Sequence, residues 1–330
     1  VPLTVCRVTP TTRFLVVEMG SRGIGHIAYL TGIAPPRIGI VLNVGQAHVG
    51  EFGGRDNIAR AKAELVQALP ADGVAILNAD DPAVAAMASV TSARVVLVGE
   101  SAAAEVRAED VTLDDAGRPE FTVVCPAGVS RVALRLHGRH HVGNALSAIA
   151  AALECGLPLD AITVALAAAG PVSRWRMEVT ERADGVTVVN DAYNANPDSM
   201  GAALRALRAM RGSAGSGSQR RAWAVLGEMF ELGADTRTEH ERVGAVAVSE
   251  CVDRLVLVGA GAGPIGEGAE AAGMPPAHLA YVADTDAAYA LLRQNLRPGD
   301  VVLFKSSRDA GLRWLGDRVA EPVHGSEVGS

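Results

Sequence analysis

The segment NDAYNANPDSM, Asn190 to Met200, decides the architecture of the half of the chain around it. It begins where the apolar run from Val186 to Asn190 ends, and it closes by opening a helix. Pro197 suits a first helical position and Asp198 a first turn. A buried strand that passes through a polar loop into a helix is the unit of a parallel sheet covered on both faces. Helix-start rules account for Pro197 and Asp198. They do not account for Asp191, Tyr193, Asn194 and Asn196 gathered at the strand's carboxyl end, the edge at which open α/β sheets bind ligands.

The same alternation extends outward. Downstream, apolar runs at Ala222 to Leu226, Arg254 to Val258, Leu279 to Val282 and Val301 to Phe304 are separated by helix-compatible stretches, which predicts a doubly wound, Rossmann-like domain. Upstream, the runs Phe14 to Gly20, Ile38 to Val44, Val74 to Asp80 and Arg94 to Glu100 read as strands of a second mainly parallel sheet, with helices around His26 to Thr31 and Asn57 to Leu69. Val106 to Gly138 changes to short, half-polar strands with tight turns, the pattern of an antiparallel appendage, and Ala-rich helices follow at Asn144 to Cys155 and Leu159 to Ala168. Gly170-Pro171 marks a boundary, giving α/β domains over residues 1–170 and 171–322 and a disordered tail over 323–330. Arg211 to Arg221 reads as a flexible surface loop.

At 330 residues the chain is long enough for two cores. A formal charge of −7 excludes a general nucleic-acid or anionic-membrane binder, although a local basic site remains compatible with it. No apolar run approaches the roughly 20 residues of a membrane span, and no signal peptide opens the chain. The four cysteines stand singly, without metal-ligand spacing, and read as reduced, mostly buried residues of a cytosolic protein. There is no initiating Met, and the first residues run straight into what reads as an interior segment, so the expectation is a chain cut at its N-terminus.

Other polar groups fall at strand ends. Glu18 closes the first apolar run, and His48 lies in the Gly-rich loop after the second; side by side on one sheet edge, a carboxylate and an imidazole suit a divalent ion. Lys62 sits on the helix that follows, where a solvated surface lysine is the ordinary reading. Asn144 lies at the start of a helix behind the basic turn GRHHV, as an ordinary N-cap or as a contact to a polar ligand. LGEMFELG, Leu226 to Gly233, and LFKSSRDAG, Leu303 to Gly311, again set polar groups after strands. Lys305 and Arg308 form a compact cationic pair suited to a carboxylate or phosphate.

Taken in order, VVEMG, APPRIGIVLNVGQAHVGEFGG, AKAELVQALPADGVAILNADD, GRHHVGNALSA, NDAYNANPDSM, VLGEMFELG and KSSRDAG resemble the motifs of the Mur ligases. NDAYNANPDSM resembles the branch that adds D-Ala-D-Ala to UDP-N-acetylmuramoyl-tripeptide in peptidoglycan precursor synthesis. The resemblance implies most of a central ATPase domain, a complete C-terminal domain, and a cytoplasmic, monomeric enzyme using ATP and Mg²⁺. It implies that Glu18, His48 and Lys62, the last as a carbamate, hold Mg²⁺, with Lys62 and His48 also catalytic. Asn144 becomes an adenine contact, Arg176 a nucleotide contact and Asp191 a ribose contact. Tyr193, Asn194 and Asn196 border the nucleotide and acceptor sites, and Lys305 and Arg308 face the peptide substrates. The family's Gly-Lys-Thr phosphate loop does not occur in these 330 residues, so the fragment alone is expected to be inactive. Departures from the family pattern are Ser where Gly is common within Lys305-Ser306-Ser307-Arg308, His141 for Asn, Glu228 for Asp, and Gly23 for a polar residue. Two alternatives remain: another Mur-type or folylpolyglutamate-type amide ligase, and a non-catalytic remnant of the fold.

Overall fold

The computed structural model describes residues 1–21, 23–45, 54–212 and 220–321. The chain divides into two compact units. The first comprises Val1–Thr112, Glu120–Leu134 and His140–Ala168; the second comprises Leu113–Pro119, Arg135–Arg139 and Ala169–Ser330.

In the first unit a short helix α1 (Pro2–Val5) precedes α2 (His26–Ile33), β1 (Ile38–Val41), α3 (Arg55–Gln67), β2 (Val74–Asn78), α4 (Pro82–Ala85) and β3 (Arg94–Gly99). Then come β4 (Val106–Leu113), β5 (Pro119–Cys125), β6 (Gly128–Ala133), α5 (His141–Glu154) and α6 (Leu159–Ala168). The sheet order is β1-β2-β3-β4-β5-β6. β1 to β4 pair in parallel, and β5 with β6 antiparallel. Alternate residues of β2 feed opposite cores. Ala75 and Leu77 pack with Ile58 and Val66 of α3, while Val74 and Ile76 pack with Leu146 and Ile149 of α5. That two-sided burial is why the strand reads as an unbroken apolar run.

Two expectations are corrected here. Residues 14–20 form no strand: Val16 is 90% exposed, and none of these residues joins a ladder. Apolar composition reports a preference for burial, but a strand also needs a neighbour to satisfy its backbone, and β1 pairs only with β2 among the described residues. Of the half-polar strands, β5 and β6 pair antiparallel as expected, but β4 pairs in parallel with β3, so the three extend the same sheet rather than standing apart from it.

The second unit contains β7 (Glu178–Glu181), β8 (Thr187–Asn190), α7 (Pro197–Arg211), β9 (Ala222–Leu226), α8 (Thr236–Ser249), β10 (Arg254–Val258) and α9 (Gly263–Ala271). It ends with β11 (Leu279–Val282), α10 (Thr285–Asn295), β12 (Val301–Lys305) and α11 (Leu312–Ala320). The order is β11-β10-β9-β12-β8-β7, parallel except for β7. The half-polar edge strand β7 escaped the sequence reading. Leu204 and Leu207 of α7 share one core with Val189, Leu226 and Leu303, whereas Leu292 of α10 and Leu315 of α11 share the other with Val188, Trp223 and Phe304. The chain therefore leaves β8 and the adjacent β12 toward opposite faces of the sheet. A crevice opens at such a switch point, at the carboxyl ends of the strands.

Arg211 is the last residue of α7 rather than the start of a loop, and Arg220 and Arg221 are anchored to Gly299 O and the Asp300 carboxylate. Residues 213–219 and the expected tail lie outside the described residues. All four cysteines are free, but only Cys125 is buried; Cys6 and Cys251 are exposed. Single spacing excluded a disulfide framework without fixing burial.

Candidate functional site

Two groups of polar residues occupy strand ends, one in each unit. In the first, the chain leaving β1 is held by three side chains. Asn78 Nδ2 donates to Leu42 O at 2.9 Å, Lys62 Nζ to Asn43 O at 2.7 Å, and Val44 N donates to Asp81 Oδ2 at 2.7 Å. Asp81 Oδ1 also accepts from Ala83 N and Val84 N, which starts α4. Lys62 is half-buried, and its burial pulls the ammonium below the usual lysine range against the opposing Asp81 carboxylate. Two residues along α3, Glu64 accepts from Gly25 N and Ala28 N and so caps α2. A carboxylate at that helix start is favoured by the aligned peptide dipoles.

His48 lies outside the described residues. Glu18 is exposed and makes no hydrogen bond or ion pair among the described residues. No group of three His, Cys, Asp or Glu residues able to hold a metal occurs among them. Glu18 offers an oxygen ligand, but the Lys62 ammonium offers none, so these residues do not by themselves fit a Mg²⁺ site. Asn144 is exposed on α5 but is not its cap: His140 occupies that position, one turn earlier. The His-rich turn hid where the helix begins.

The second group gathers at the switch point. Asp191 Oδ2 takes a 2.6 Å hydrogen bond from Lys305 Nζ, and Asp191 Oδ1 accepts from Met177 N at 3.0 Å. Lys305 is only 2% exposed and also donates to Asp191 O and Asn194 O. An ammonium has three N–H groups, and all three are used within the protein. In this arrangement Lys305 fixes the loop after β8 and has no donor left for a peptide substrate.

Arg308 is exposed, with its guanidinium 5.8 Å from the Tyr193 ring centroid; that of Arg176 lies 4.4 Å from the same ring. Neither arginine has a carboxylate partner among the described residues, so their N–H groups are open to an anion. Asn196 caps α7. Its Oδ1 accepts from Ser199 N while Ser199 Oγ accepts from Asn196 N, a reciprocal capping box. Asn194 is exposed. Glu228 is half-buried, and its backbone O accepts from Ser307 N, which couples the loops after β9 and β12.

The Mur ligase middle domain matches residues 1–152, and the Mur ligase glutamate ligase domain matches residues 175–308. The chain belongs to the Mur ligase family. Within it, the chain is 52% identical to UDP-N-acetylmuramoyl-tripeptide–D-alanyl-D-alanine ligase of Mycobacterium tuberculosis, with 98% of this chain aligned. It spans 66% of that relative's length. The crystal structure of MurF from Acinetobacter baumannii superposes with a TM-score of 0.86 at 29% identity, covering 97% of this chain and 67% of that one. A MurF ligase from Thermotoga maritima, in complex with ADP, shares the fold at a TM-score of 0.82 and 24% identity, covering 97% of this chain and 70% of its own. In this Mur ligase chain, no helix among the described residues is long and apolar enough to cross a membrane.

Sequence reasoning missed Trp175, Glu64, Asp81 and Asp317. Each ties segments that lie far apart in the chain, and a local pattern does not reveal the distant partner of such a bond. The one local signal was RWRM itself, Arg174 to Met177, a cationic-aromatic run beside a domain boundary.

Proposed function

We propose that this chain supplies the Lys62 centre and the switch-point site of an ATP-dependent ligase that joins D-Ala-D-Ala to UDP-N-acetylmuramoyl-tripeptide. The observation that carries the reading is NDAYNANPDSM at the switch point, where Asp191 is fixed by Lys305 and Tyr193 lies beside two arginines that have no carboxylate partner among the described residues. The 52% identity to a ligase of that name supports the same substrates.

In this reading the terminal carboxylate of the tripeptide attacks the γ-phosphorus of ATP, and ADP leaves with the electrons of the broken P–O bond. The amine of D-Ala-D-Ala then attacks the acyl carbon, loses a proton, and expels phosphate from the tetrahedral intermediate. Arg176 faces the nucleotide phosphates and Asp191 its ribose; Tyr193 borders both, and Asn144 meets the adenine. Arg308 binds a peptide carboxylate, with the side-chain amides of Asn194 and Asn196 nearby. Lys305 is a positioning residue. The half-buried setting of Lys62 eases loss of its proton, and uptake of CO₂ by the resulting amine as a carbamate, with release of a further proton, turns a cation into an anionic oxygen donor. Mg²⁺ supplies charge neutralisation when bound. The reaction belongs in the cytoplasm, where the nucleotide-linked precursor is made, and the chain acts as a monomer. The 330 residues contain no G-x-x-x-x-G-K-[ST] phosphate loop, so alone they should give no turnover.

Trapping the intermediate tests this reading. The complete gene product containing these residues, given ATP, the UDP-linked tripeptide and hydroxylamine but no D-Ala-D-Ala, should yield a tripeptide hydroxamate and ADP in equal amounts. ADP formation without hydroxamate removes the acyl-phosphate route.

A further inference from the structure

Asp317 lies on α11, more than a hundred residues from Trp175, yet its carboxylate gathers donors from the segment before β7 and from the end of β8. Trp175 Nε1 donates to its two oxygens at 3.0 and 3.1 Å, Asn190 Nδ2 at 3.1 Å, and Arg174 Nη2 lies 3.0 Å away. Asn190 is itself 3% exposed, and its amide also donates to Arg313 O, so the acceptor is fixed from the sheet side as well. The Trp175 indole packs edge-on against Trp314, with ring centroids 4.9 Å apart.

The backbone held by this bond is strained. Trp175 has φ 60° and Met177 φ 49°, left-handed values that are costly for residues with side chains. Arg176 stands between them. Its neighbours are tied on all sides: Trp175 N donates to Glu178 Oε2, Tyr193 N donates to Trp175 O, and Met177 N donates to Asp191 Oδ1. Loss of the Asp317 anchor would leave only these three bonds to hold the strained segment that carries Arg176.

We infer that Asp317, acting through Trp175 Nε1, is the positioning residue that holds the Arg176 guanidinium ready for the phosphates of a nucleoside diphosphate or triphosphate. Arg176 suits that ligand because it leans on an aromatic ring and has no carboxylate partner among the described residues, so its forked donors remain available. The inference rests on the nucleotide reading proposed above. It adds two residues to which that reading gives no role.

A double-mutant cycle on ADP binding tests it, using the 330-residue chain and ligand-observed NMR, which registers millimolar affinities. Trp175→Phe keeps an aromatic ring but removes the N–H donor together with the pyrrole half of the indole. It should weaken ADP about tenfold, the loss expected when a hydrogen bond to a charged group is removed. Asp317→Asn, which places an amide donor against the donors it formerly accepted, should act in the same direction. Arg176→Ala should weaken binding at least as much, and adding Trp175→Phe to it should cost nothing further, because the indole acts through that arginine. Equal losses from Trp175→Phe with and without Arg176 would overturn the inference while leaving nucleotide binding intact, as would wild-type affinity in both Trp175→Phe and Asp317→Asn. An unmodified chain that binds no ADP would remove the nucleotide reading and this inference with it.

Discussion

Lys62 and Lys305 show how differently a protein can use two lysines at strand ends. Lys62 is partly withdrawn from water, and its ammonium donates to Asn43 O at 2.7 Å. Its folded pKa lies below the ordinary lysine value of about 10.4. The unfolded chain therefore binds more protons between those two values, and stability rises with pH through that window as the amine becomes neutral. The neutral amine is the form that attacks CO₂. With ¹³C-bicarbonate at mildly alkaline pH, the chain should show a carbamate carbon resonance that Lys62→Arg abolishes; a spectrum unchanged by Lys62→Arg would contradict this assignment. Lys305, in contrast, is a buried cation consumed by its partners. Lys305→Met leaves the Asp191 carboxylate without its counter-ion and should cost about 3 kcal/mol, read as a lowered urea midpoint. Part of that loss should return when Asp191 is made apolar as well. The positions of Asp191 and Lys305 at strand ends were legible, because apolar runs show where strands stop. Their pairing was not: the two residues are 114 positions apart, and which strands become neighbours is decided by the whole sheet.

Elements were read best where burial is two-sided. β9 is apolar throughout and β12 is apolar up to Lys305, and both sit where the apolar runs place them, whereas the half-polar β7 left no comparable signal. Residues 14–20 fail in the opposite way, with a strand-like composition and no ladder to join. Close helix packing was equally invisible. At Gly268 on α9 an added Cβ would lie 1.9 Å from Glu241 O of α8, and at Gly244 on α8 it would lie 1.9 Å from Ile265 O of α9. Gly268→Ala should therefore force the helices apart and destabilise the second unit by about 3 kcal/mol, visible in a denaturant titration. The end of α7 carries a different dependence. Burial pushes the Asp253 carboxyl up, but hydrogen bonds from Arg211 and Ala222 N outweigh it and hold the group below the usual carboxylate range. A depressed folded pKa gives stability that is present above the unfolded value of about 3.9 and is lost as pH falls through the folded one. Asp253→Asn should lower stability at pH 7 by about 1 kcal/mol and flatten its decline in acid; an unchanged acid profile would show that the pair contributes nothing.

At the scale of the molecule, each unit carries a sheet covered on both faces and places its polar residues at the carboxyl ends of its strands. The negative net charge and the scattered cysteines excluded several classes of protein without pointing to one. Ordered motifs pointed to the family, and NDAYNANPDSM pointed to the branch. In space, that segment became a loop fixed by Lys305, capped by Asn196 and flanked by Arg176 and Arg308. The central claim is the choice of acceptor amine, and phosphate release by the complete gene product tests it most directly. With ATP and the UDP-linked tripeptide present, D-Ala-D-Ala should release phosphate in step with new amide, while glutamate and diaminopimelate should release none. Turnover with glutamate or diaminopimelate but not with D-Ala-D-Ala would contradict the account.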